Sequence, residues 1–271
     1  PAMQIAVVDG TRLEAFPGGR GVCPVCGSEV IAKCGTRIIY HWAHQRPNDC
    51  DPWWENETPW HRNWKNLFPE GCREVSHTAS DGEIHRSDIK TPTGIFIEIQ
   101  HSAMTDAERE SREEFYKNLV WIIDGAAFHR NFDIYHPLPD PHADFARDLV
   151  WAKAKRGMEG ANRGIFFRWS EACEEYPRIA KKDVTFGCIH GIDEVRDALE
   201  ESYRGHHQYH WIRPRKTWID AACPVYIDFG KGFLARLETY DDSDLRCVRL
   251  IDKAKFIHDV MTQVDAHQIA P

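Results

Sequence analysis

The chain has 271 residues, 42% of them hydrophobic, which is enough to bury a substantial core in one large domain or two small ones. Its formal net charge of −8 at pH 7 argues against a protein that simply coats nucleic acid, because such proteins are usually basic. An enzyme that acts on nucleic acid is compatible with this charge, since a cation site needs carboxylates and binding can use one local basic stripe.

The composition also bounds where the protein works. No apolar run approaches the length of a membrane span, and no secretory signal is recognisable. Nine cysteines in an otherwise ordinary composition therefore indicate reduced thiols, some of them metal ligands, rather than a disulfide framework. We expect a cytoplasmic protein that does not bind a membrane.

The N-terminal residues predict a hairpin followed by a metal-binding segment, together forming a subdomain over residues 3–52. Two short apolar runs flank Asp9-Gly10, a pair that is typical of tight hairpin turns. Cysteine, histidine and tryptophan residues then crowd the chain as far as Trp54.

A Cys-x-x-Cys pair, Cys23 and Cys26, is followed after fourteen intervening residues by His41 and His44. Two thiolates and two imidazoles complete the tetrahedral shell of a structural zinc ion. Gly27 permits the tight turn that presents both sulfurs to one ion. The spacing therefore predicts one structural zinc.

Alternatives remain open in this segment. Cys34 or Cys50 can replace one of the histidine ligands. Three protein ligands with a water would make a catalytic zinc, although four available ligands favour a closed structural site. Unligated thiols are a further alternative, and a redox pair is disfavoured because no βαβ pattern surrounds it.

Residues 53–136 predict alternating helices and strands. A helix is expected to begin after Thr58, with Pro59 as its first residue. Three strands with tight turns are expected over residues 72–102, a charged helix over 105–118 and a buried strand over 119–124.

The second of these turns carries the most information. Pro92-Thr93-Gly94 predicts a three-residue hairpin loop, in which Gly takes the left-handed position. A loop centred on Thr93 places Asp88 directly across from Glu98, with Cβ atoms about 5 Å apart. Gln100 shares that face, because strand side chains alternate with a period of two.

Two carboxylates at this distance repel each other unless a divalent cation lies between them. Mg²⁺ and Mn²⁺ prefer such oxygen ligands, so Asp88 and Glu98 are candidate metal ligands for hydrolytic chemistry. A solvent-facing acidic hairpin without a metal is the alternative.

The order of hairpin, helix and buried strand is similar to the core of PD-(D/E)XK nucleases, and most of the chain resembles the competence protein CoiA family. The segments that carry the resemblance are CPVC with HWAH, ETPWHRNWK, RSDI, EIQHS, the helix with Arg112 and Tyr116, LVWIID, and RKTWIDAACPVYIDFG. The resemblance implies an αβββαβ nuclease core over residues 53–136, Asp88 and Glu98 as Mg or Mn ligands, and a role in processing DNA that is taken up or recombined.

The chain departs from the nuclease pattern at Gln100, where that pattern has lysine. Glutamine can orient an attacking water but supplies no positive charge. On the preceding helix Lys65 is a candidate for the missing charge, and His61 lies one turn earlier on the same face. Glu57 is placed to reach the metal and Arg86 to face the phosphate. Plain surface positions are the alternative for His61 and Lys65.

Two further sets of residues are candidates for nucleic-acid contact. Arg112 and Tyr116, four residues apart on the charged helix, are placed to meet phosphate or the acidic site, or to form a plain surface pair. Residues 203–217 contain no acid and combine aromatic side chains with cations, a composition that suits stacked bases and a phosphate backbone. A solvated charged face is the alternative there, where the candidates are Arg213, Arg215 and Lys216.

The C-terminal region over residues 137–271 is predicted to be α+β. A helix is expected over residues 142–156, ending in Lys153, Lys155 and Arg156, and strands are expected over 217–251.

The sequence thus predicts an α/β protein with a PD-(D/E)XK core, a zinc-binding N-terminal subdomain and an α+β C-terminal region. The predicted function is metal-dependent hydrolysis of DNA in uptake, recombination or phage defence. A DNA-binding adaptor with weak or no turnover is the main alternative, and a zinc-stabilised interaction module is a third. The compatible partners are DNA, a second copy of the chain in a homodimer, and recombination or defence proteins.

Overall fold

The computed structural model describes residues 2–45, 50, 53, 57–80 and 82–269. Trp54 and the predicted subdomain boundary at residue 52 lie outside the described residues. The protein is mixed α/β and divides into two compact units. The first contains the residues up to Ile122 and Ile257–Gln268, and the second contains Ile123–Phe256 with Ile269. The division into three regions drawn from the sequence remains a prediction.

An antiparallel sheet begins the first unit, with its strands in the order β1-β6-β5-β4-β2-β3. Asp9 and Gly10 both have positive φ (49° and 80°), as a tight hairpin turn requires, so the predicted hairpin is confirmed. Trp42 is fully buried at the centre of a small core with Met3 and Val30. The strands are β1 Ala2–Met3, β2 Ile5–Val8, β3 Thr11–Glu14, β4 Arg20–Val22, β5 Glu29–Lys33 and β6 His41–His44.

The predicted helix follows as α1, Pro59–Lys65. Thr58 caps it, since its side-chain oxygen accepts a hydrogen bond from the backbone N–H of His61 at 3.2 Å. Pro59 occupies the first turn, where its missing N–H costs nothing.

The rest of the first unit has the expected order of three strands, a helix and a buried strand. The strands lie side by side as β10-β9-β8-β7, and every residue of β10 is buried. The elements are β7 Arg73–Thr78, β8 Ile84–Lys90, β9 Phe96–Gln100, α2 Asp106–Tyr116 and β10 Leu119–Asp124.

The predicted register of the β8–β9 hairpin is confirmed. Ile89 pairs with Ile97, and the next pair out, Lys90 with Phe96, also centres the turn on residue 93. Gly94 has a φ of +92°, the left-handed conformation that the three-residue loop needs. Continuing the same register places Asp88 opposite Glu98.

The second unit contains strands in the order β11-β15-β18-β17-β16 and a separate sheet in the order β12-β13-β14. Strands predicted over residues 217–251 are present. Among the described residues, every helix is too short or too polar to cross a lipid bilayer. The strands are β11 Phe132–Pro137, β12 Leu149–Trp151, β13 Ile165–Arg168, β14 His190–Gly191, β15 His206–Trp211, β16 Val225–Asp228, β17 Phe233–Thr239 and β18 Arg246–Asp252. The helices are α3 Glu159–Asn162, α4 Trp169–Glu175, α5 Arg196–Ser202 and α6 Lys216–Ile219. A further helix, α7 Lys253–Thr262, begins in the second unit and continues from Ile257 in the first.

The helix predicted over residues 142–156 is wrong. A short 3-10 turn, Asp144–Asp148, leads instead into β12. All three residues of β12 are buried and pair with β13, so packing on both sides of a short apolar run outweighs the local helical pattern. Lys153 and Lys155 consequently lie in a loop.

Candidate functional site

Four potential metal ligands converge at the end of the N-terminal sheet. The turn between β4 and β5 carries Cys23 and Cys26, β6 ends at His44, and Cys50 completes the group, with all four ligand atoms within 4.8 Å of one another. Cys23 Sγ is 3.6 Å from Cys50 Sγ, and Cys26 Sγ is 3.3 Å from His44 Nε2. Neighbouring sulfurs in a tetrahedral zinc shell are about 3.8 Å apart, so the cluster can hold a structural zinc.

The turn between β4 and β5 is shaped by its own backbone. The N–H of Cys23 donates to Ser28 O at 2.8 Å, and the N–H of Gly27 donates to Cys23 O at 2.9 Å. Gly27 has a φ of +69°, which most other residues would adopt only with strain. The resulting knuckle brings both cysteines to the same side.

Cys26 is prepared for metal binding by its neighbours. Partial burial acts to raise its pKa, but hydrogen bonds with Ser28, Cys50 and His44 outweigh this and lower the pKa to about 6. Such a thiol is mostly thiolate at neutral pH, which is the form that binds zinc.

His41 lies outside this cluster, and its Nδ1 is 2.8 Å from Ile39 O. His41 and His44 begin and end the same strand, and residues three apart on a strand point to opposite faces. The fourth ligand position predicted for His41 is therefore taken by Cys50, one of the two replacements that the sequence left open.

A second polar cluster surrounds the β8–β9 hairpin, and Asp88 and Glu98 lie at its centre. Asp88 Oδ2 accepts a hydrogen bond from the N–H of Ile99 at 2.9 Å, and Glu98 Oε1 accepts one from the N–H of Asp88 at 3.4 Å. Each carboxylate thus reaches the backbone of the opposite strand. The side chain of Glu98 is 6% exposed and that of Asp88 is 18% exposed, so the cluster is most open at Asp88.

His61 of α1 contacts Asp88 directly, with Nε2 2.8 Å from Oδ1. Burial acts to raise the pKa of Asp88, but the His61 ring, Lys65 and the N–H of Ile99 outweigh it, and the pKa is lowered. Asp88 is therefore an anion at neutral pH. The sequence placed His61 near this site, and the structure brings the two side chains together.

Lys65 lies one turn further along α1, between two carboxylates. Its Nζ is 2.5 Å from Glu57 Oε1 and 2.8 Å from Glu74 Oε1, and its side chain is 3% exposed. Burial acts to lower the pKa of Lys65, but Glu74, Glu57 and Asp88 raise it. The lysine predicted to supply free positive charge thus has two of its three N–H donors engaged with protein carboxylates.

Glu74 is a central residue that the sequence did not reveal. It lies on β7 opposite Asp88, in the register set by the neighbouring pairs, and its φ of +47° is uncommon for a residue other than glycine. Its carboxylate accepts backbone N–H bonds from Gln4 at 3.0 Å and Ile5 at 2.9 Å. Burial acts to raise its pKa, but Arg86 and Lys65 hold the pKa well below its usual range.

Glu57 and Arg86 occupy the edges of the cluster. Glu57 bonds Arg62 as well as Lys65, with Arg62 Nε 3.0 Å from Glu57 Oε2. Arg86 Nη1 is 3.9 Å from Glu74 Oε2, and its side chain is largely buried. Arg62 was not singled out from the sequence, although its place three residues before Lys65 on α1 puts it on a nearby face.

Arg112 of α2 holds the other side of the hairpin. Its Nη1 donates to Glu98 Oε2 at 2.9 Å, and its Nη2 donates to Glu108 Oε1 at 2.6 Å and to Trp53 O at 2.7 Å. Of the two contacts predicted for Arg112, the structure shows the one to the acidic site. Tyr116 does not fit a phosphate-contacting role, because it is 4% exposed and its ring packs 4.7 Å from Phe96.

Gln100 is buried at the end of β9, and its Nε2 donates to Ser102 O at 3.2 Å. The three basic residues predicted near residue 215 all lie in the second unit. Arg213 and Lys216 are exposed, and the guanidinium carbon of Arg215 lies 5.3 Å from the centre of the Phe128 ring. Phe128 is stacked on Trp211 in turn, with the ring centres 4.6 Å apart.

Replacing Cys50 with Ser should reduce bound zinc from one ion per chain to a small fraction. Replacing His41 with Ala should leave it unchanged, because His41 lies outside the cluster. The Cys50 variant should also unfold at a lower temperature, since zinc binding contributes about 10–16 kcal/mol of apparent free energy in small zinc modules. Elemental analysis of both purified variants decides the matter, and zinc loss in the His41 variant alone would reverse the assignment.

Replacing Glu74 with Gln should lower the free energy of unfolding at pH 7 by on the order of 3 kcal/mol, because it breaks a buried ion pair. Since the folded-state pKa is depressed, this contribution is present in full above the unfolded pKa of about 4.3 and is lost as the pH falls below it. The difference from wild type should therefore shrink in acid.

Urea unfolding between pH 3 and pH 7 measures this effect. Glu14→Gln is the matched control, because Glu14 is 52% exposed and its 3.7 Å pair with Arg73 should contribute little. Equal losses of stability in the two variants would show that the burial of Glu74 does not matter.

One comparison with known proteins bears on identity. A family model described as Competence protein CoiA, N-terminal domain, matches residues 18–52, the stretch that contains Cys23, Cys26, His44 and Cys50. The carboxylate hairpin lies outside that match. Neither a curated protein nor a solved structure matches the chain. Residues 18–52 are therefore similar to the N-terminal domain of the CoiA family.

Proposed function

We propose that this chain is a metal-dependent nuclease of the PD-(D/E)XK type, acting on DNA in the cytoplasm. The observation that carries the proposal is the pairing of Asp88 with Glu98 across a hairpin whose register is fixed by the loop at Thr93. The order of α1, three strands, α2 and β10 supports the proposal, because an αβββαβ core would have its elements in that order. The CoiA match at residues 18–52 supports a role in the uptake or recombination of DNA.

Asp88 and Glu98 would hold Mg²⁺ or Mn²⁺ in this proposal. Each carboxylate oxygen has two lone pairs, so an oxygen that accepts one hydrogen bond can also bind a cation. A bound ion would acidify water and neutralise charge on the phosphate. Asp88 is the more exposed of the two carboxylates, and it is the side from which a phosphate can approach.

The remaining residues of the cluster hold this pair in place. His61 fixes Asp88, and Arg112 fixes Glu98. Gln100 would orient the attacking water once its side-chain amide has released its hydrogen bond to Ser102 O. Lys65 keeps one donor beyond its bonds to Glu57 and Glu74, and that donor would serve the phosphate.

Arg213, Arg215 and Lys216 would contribute nucleic-acid contacts from the second unit. Two of the three are exposed, and the guanidinium of Arg215 lies near the stacked rings of Phe128 and Trp211. Cations beside aromatic rings suit a phosphate backbone and its bases. A homodimer and recombination or defence partners are compatible with this role.

One observation favours a DNA-binding adaptor as the second candidate. Asp88, Glu98, Glu57 and Glu74 each contact a protein cation or imidazole, so their mutual repulsion is already offset without a metal. The lysine of the usual nuclease pattern is also replaced by Gln100. An adaptor would keep the fold and the affinity for DNA without turnover.

Replacing Asp88 or Glu98 with Ala should lower Mg²⁺- or Mn²⁺-dependent cleavage of DNA at least about a hundredfold, because each substitution leaves an incomplete cation site. Glu70→Ala, an exposed carboxylate on the same unit, is the control and should cleave as wild type does. Thermal unfolding confirms that each variant is folded. Wild-type cleavage rates in both site variants would refute the assignment of the site.

Replacing Gln100 with Ala should reduce single-turnover cleavage by about 10²–10³ without greatly weakening DNA binding, because one positioned polar group is lost. Gln100→Lys restores the common pattern and should retain or improve cleavage. Binding of a labelled oligonucleotide is measured beside cleavage at fixed salt, because affinity depends steeply on salt. A wild-type protein that binds DNA and cleaves none with either metal would establish the adaptor instead.

A further inference from the structure

The second unit contains a cavity of about 640 Å³. Sites for small molecules typically enclose about 300–1,000 Å³ and are lined mostly by apolar side chains. The walls here are formed by β12, β13, α3 and nearby segments, and Phe167 and Trp151 are among the residues that line them. Aliphatic side chains complete the apolar lining, among them Val150, Ile165, Val184 and Leu245.

Lysines supply most of the charge around this apolar space. Lys153, Lys155 and Lys182 line the cavity and are exposed, and within the described part of the chain none of the three has an ion pair. A fourth lysine, Lys181, is buried and has its Nζ 2.5 Å from Asp241 Oδ2. Three cations are therefore available to a ligand.

The acidic lining residue does not cancel this excess. Glu159 also lines the cavity, and one of its carboxylate oxygens is 3.7 Å from Arg163 Nη2. The cavity thus combines apolar and aromatic walls with a net positive rim. Its complement is a molecule with a flat apolar body and an end that carries more than one negative charge.

We propose that this cavity binds a nucleoside phosphate. The base would lie against the apolar walls that include Phe167 and Val150, which pair across β12 and β13. The phosphate would face Lys153, Lys155 and Lys182. A phosphate monoester carries about −1.5 to −2 charges at neutral pH and matches several lysines better than a single carboxylate does. A fatty acid would fit the walls but would leave most of the cationic rim uncompensated. The proposal is independent of the nuclease function.

Gly160 offers a way to fill the cavity with little strain. It lines the space on α3, and a Cβ built there would meet only Ile165 Cδ1, at an ordinary contact distance of 3.8 Å. Gly160→Trp should therefore occupy the cavity while the fold is retained. Gly232→Trp is the matched control, because a Cβ at Gly232 would meet no atom within 4 Å and Gly232 does not line the cavity.

Isothermal titration of the full chain tests the proposal, at low fixed salt and without added Mg²⁺ or Mn²⁺. The probes are deoxyadenosine 5′-monophosphate, deoxyadenosine and decanoate. The monophosphate should bind one per chain, and at least tenfold more tightly than either other probe. Gly160→Trp should abolish this binding, whereas Gly232→Trp should not.

Replacing exposed lysines of the cavity with glutamate gives a second test, in which monophosphate binding is again measured. The double variant Lys155→Glu/Lys182→Glu should weaken monophosphate binding at least tenfold, whereas Lys231→Glu, an exposed lysine of the same unit, should have little effect. If thermal unfolding shows that the Gly160→Trp variant is not folded, the comparison of the double lysine variant with Lys231→Glu decides the outcome. No binding of the monophosphate, tighter binding of decanoate, or binding that survives both the filled and the charge-reversed cavity would overturn the proposal.

Discussion

The carboxylate of Glu74 sets the arrangement of the first unit around the hairpin. It accepts hydrogen bonds from the N–H groups of Gln4 and of Ile5, the first residue of β2, and pairs with Lys65, so it connects the N-terminal sheet, α1 and β7. A charge buried to this degree is tolerated only when it is paired and hydrogen-bonded. The ion pair with Glu74 holds Lys65, and therefore α1, in position. Lys65 in turn holds Glu57, and α1 places the His61 ring that contacts Asp88. The candidate site therefore depends on a residue that need not take part in any chemistry.

The charges around the hairpin alternate in sign. Lys65 lies between Glu57 and Glu74, His61 adjoins Asp88, and α2 supplies the guanidinium that meets Glu98. Such an arrangement allows several carboxylates to lie on neighbouring strands in a buried region, where unpaired anions would be very costly. It also means that a cation, a phosphate or a substrate must compete with existing partners for each group. Catalysis and binding alike would require some of these pairs to loosen.

Features that depend on residues close together in the sequence could be predicted from the sequence. The three-residue loop at Thr93 determined the hairpin register and thereby the position of Asp88 opposite Glu98. Glu74 escaped prediction because the two backbone N–H groups that bond it, those of Gln4 and Ile5, lie about 70 residues away, and its positive φ has no signature in the sequence. The separation of His41 from His44 followed from strand alternation, a rule that becomes useful only when the extent of β6 is known. The place of Cys50 in the cluster follows from the three-dimensional structure. The family match covers the cysteine-rich segment, residues 18–52, and ends before the carboxylate hairpin.

Two backbone amides of the β8–β9 hairpin donate hydrogen bonds to the carboxylates of the site and can report on it by spectroscopy. The amide proton of Ile99 points at Asp88 Oδ2, and that of Asp88 points at Glu98 Oε1. The chemical shift of an amide proton depends on the strength of the hydrogen bond it donates, which weakens when its acceptor oxygen gives up electron density to a cation. Nuclear magnetic resonance of these two backbone amides would therefore register a change at either carboxylate, in a protein that need not turn over any substrate.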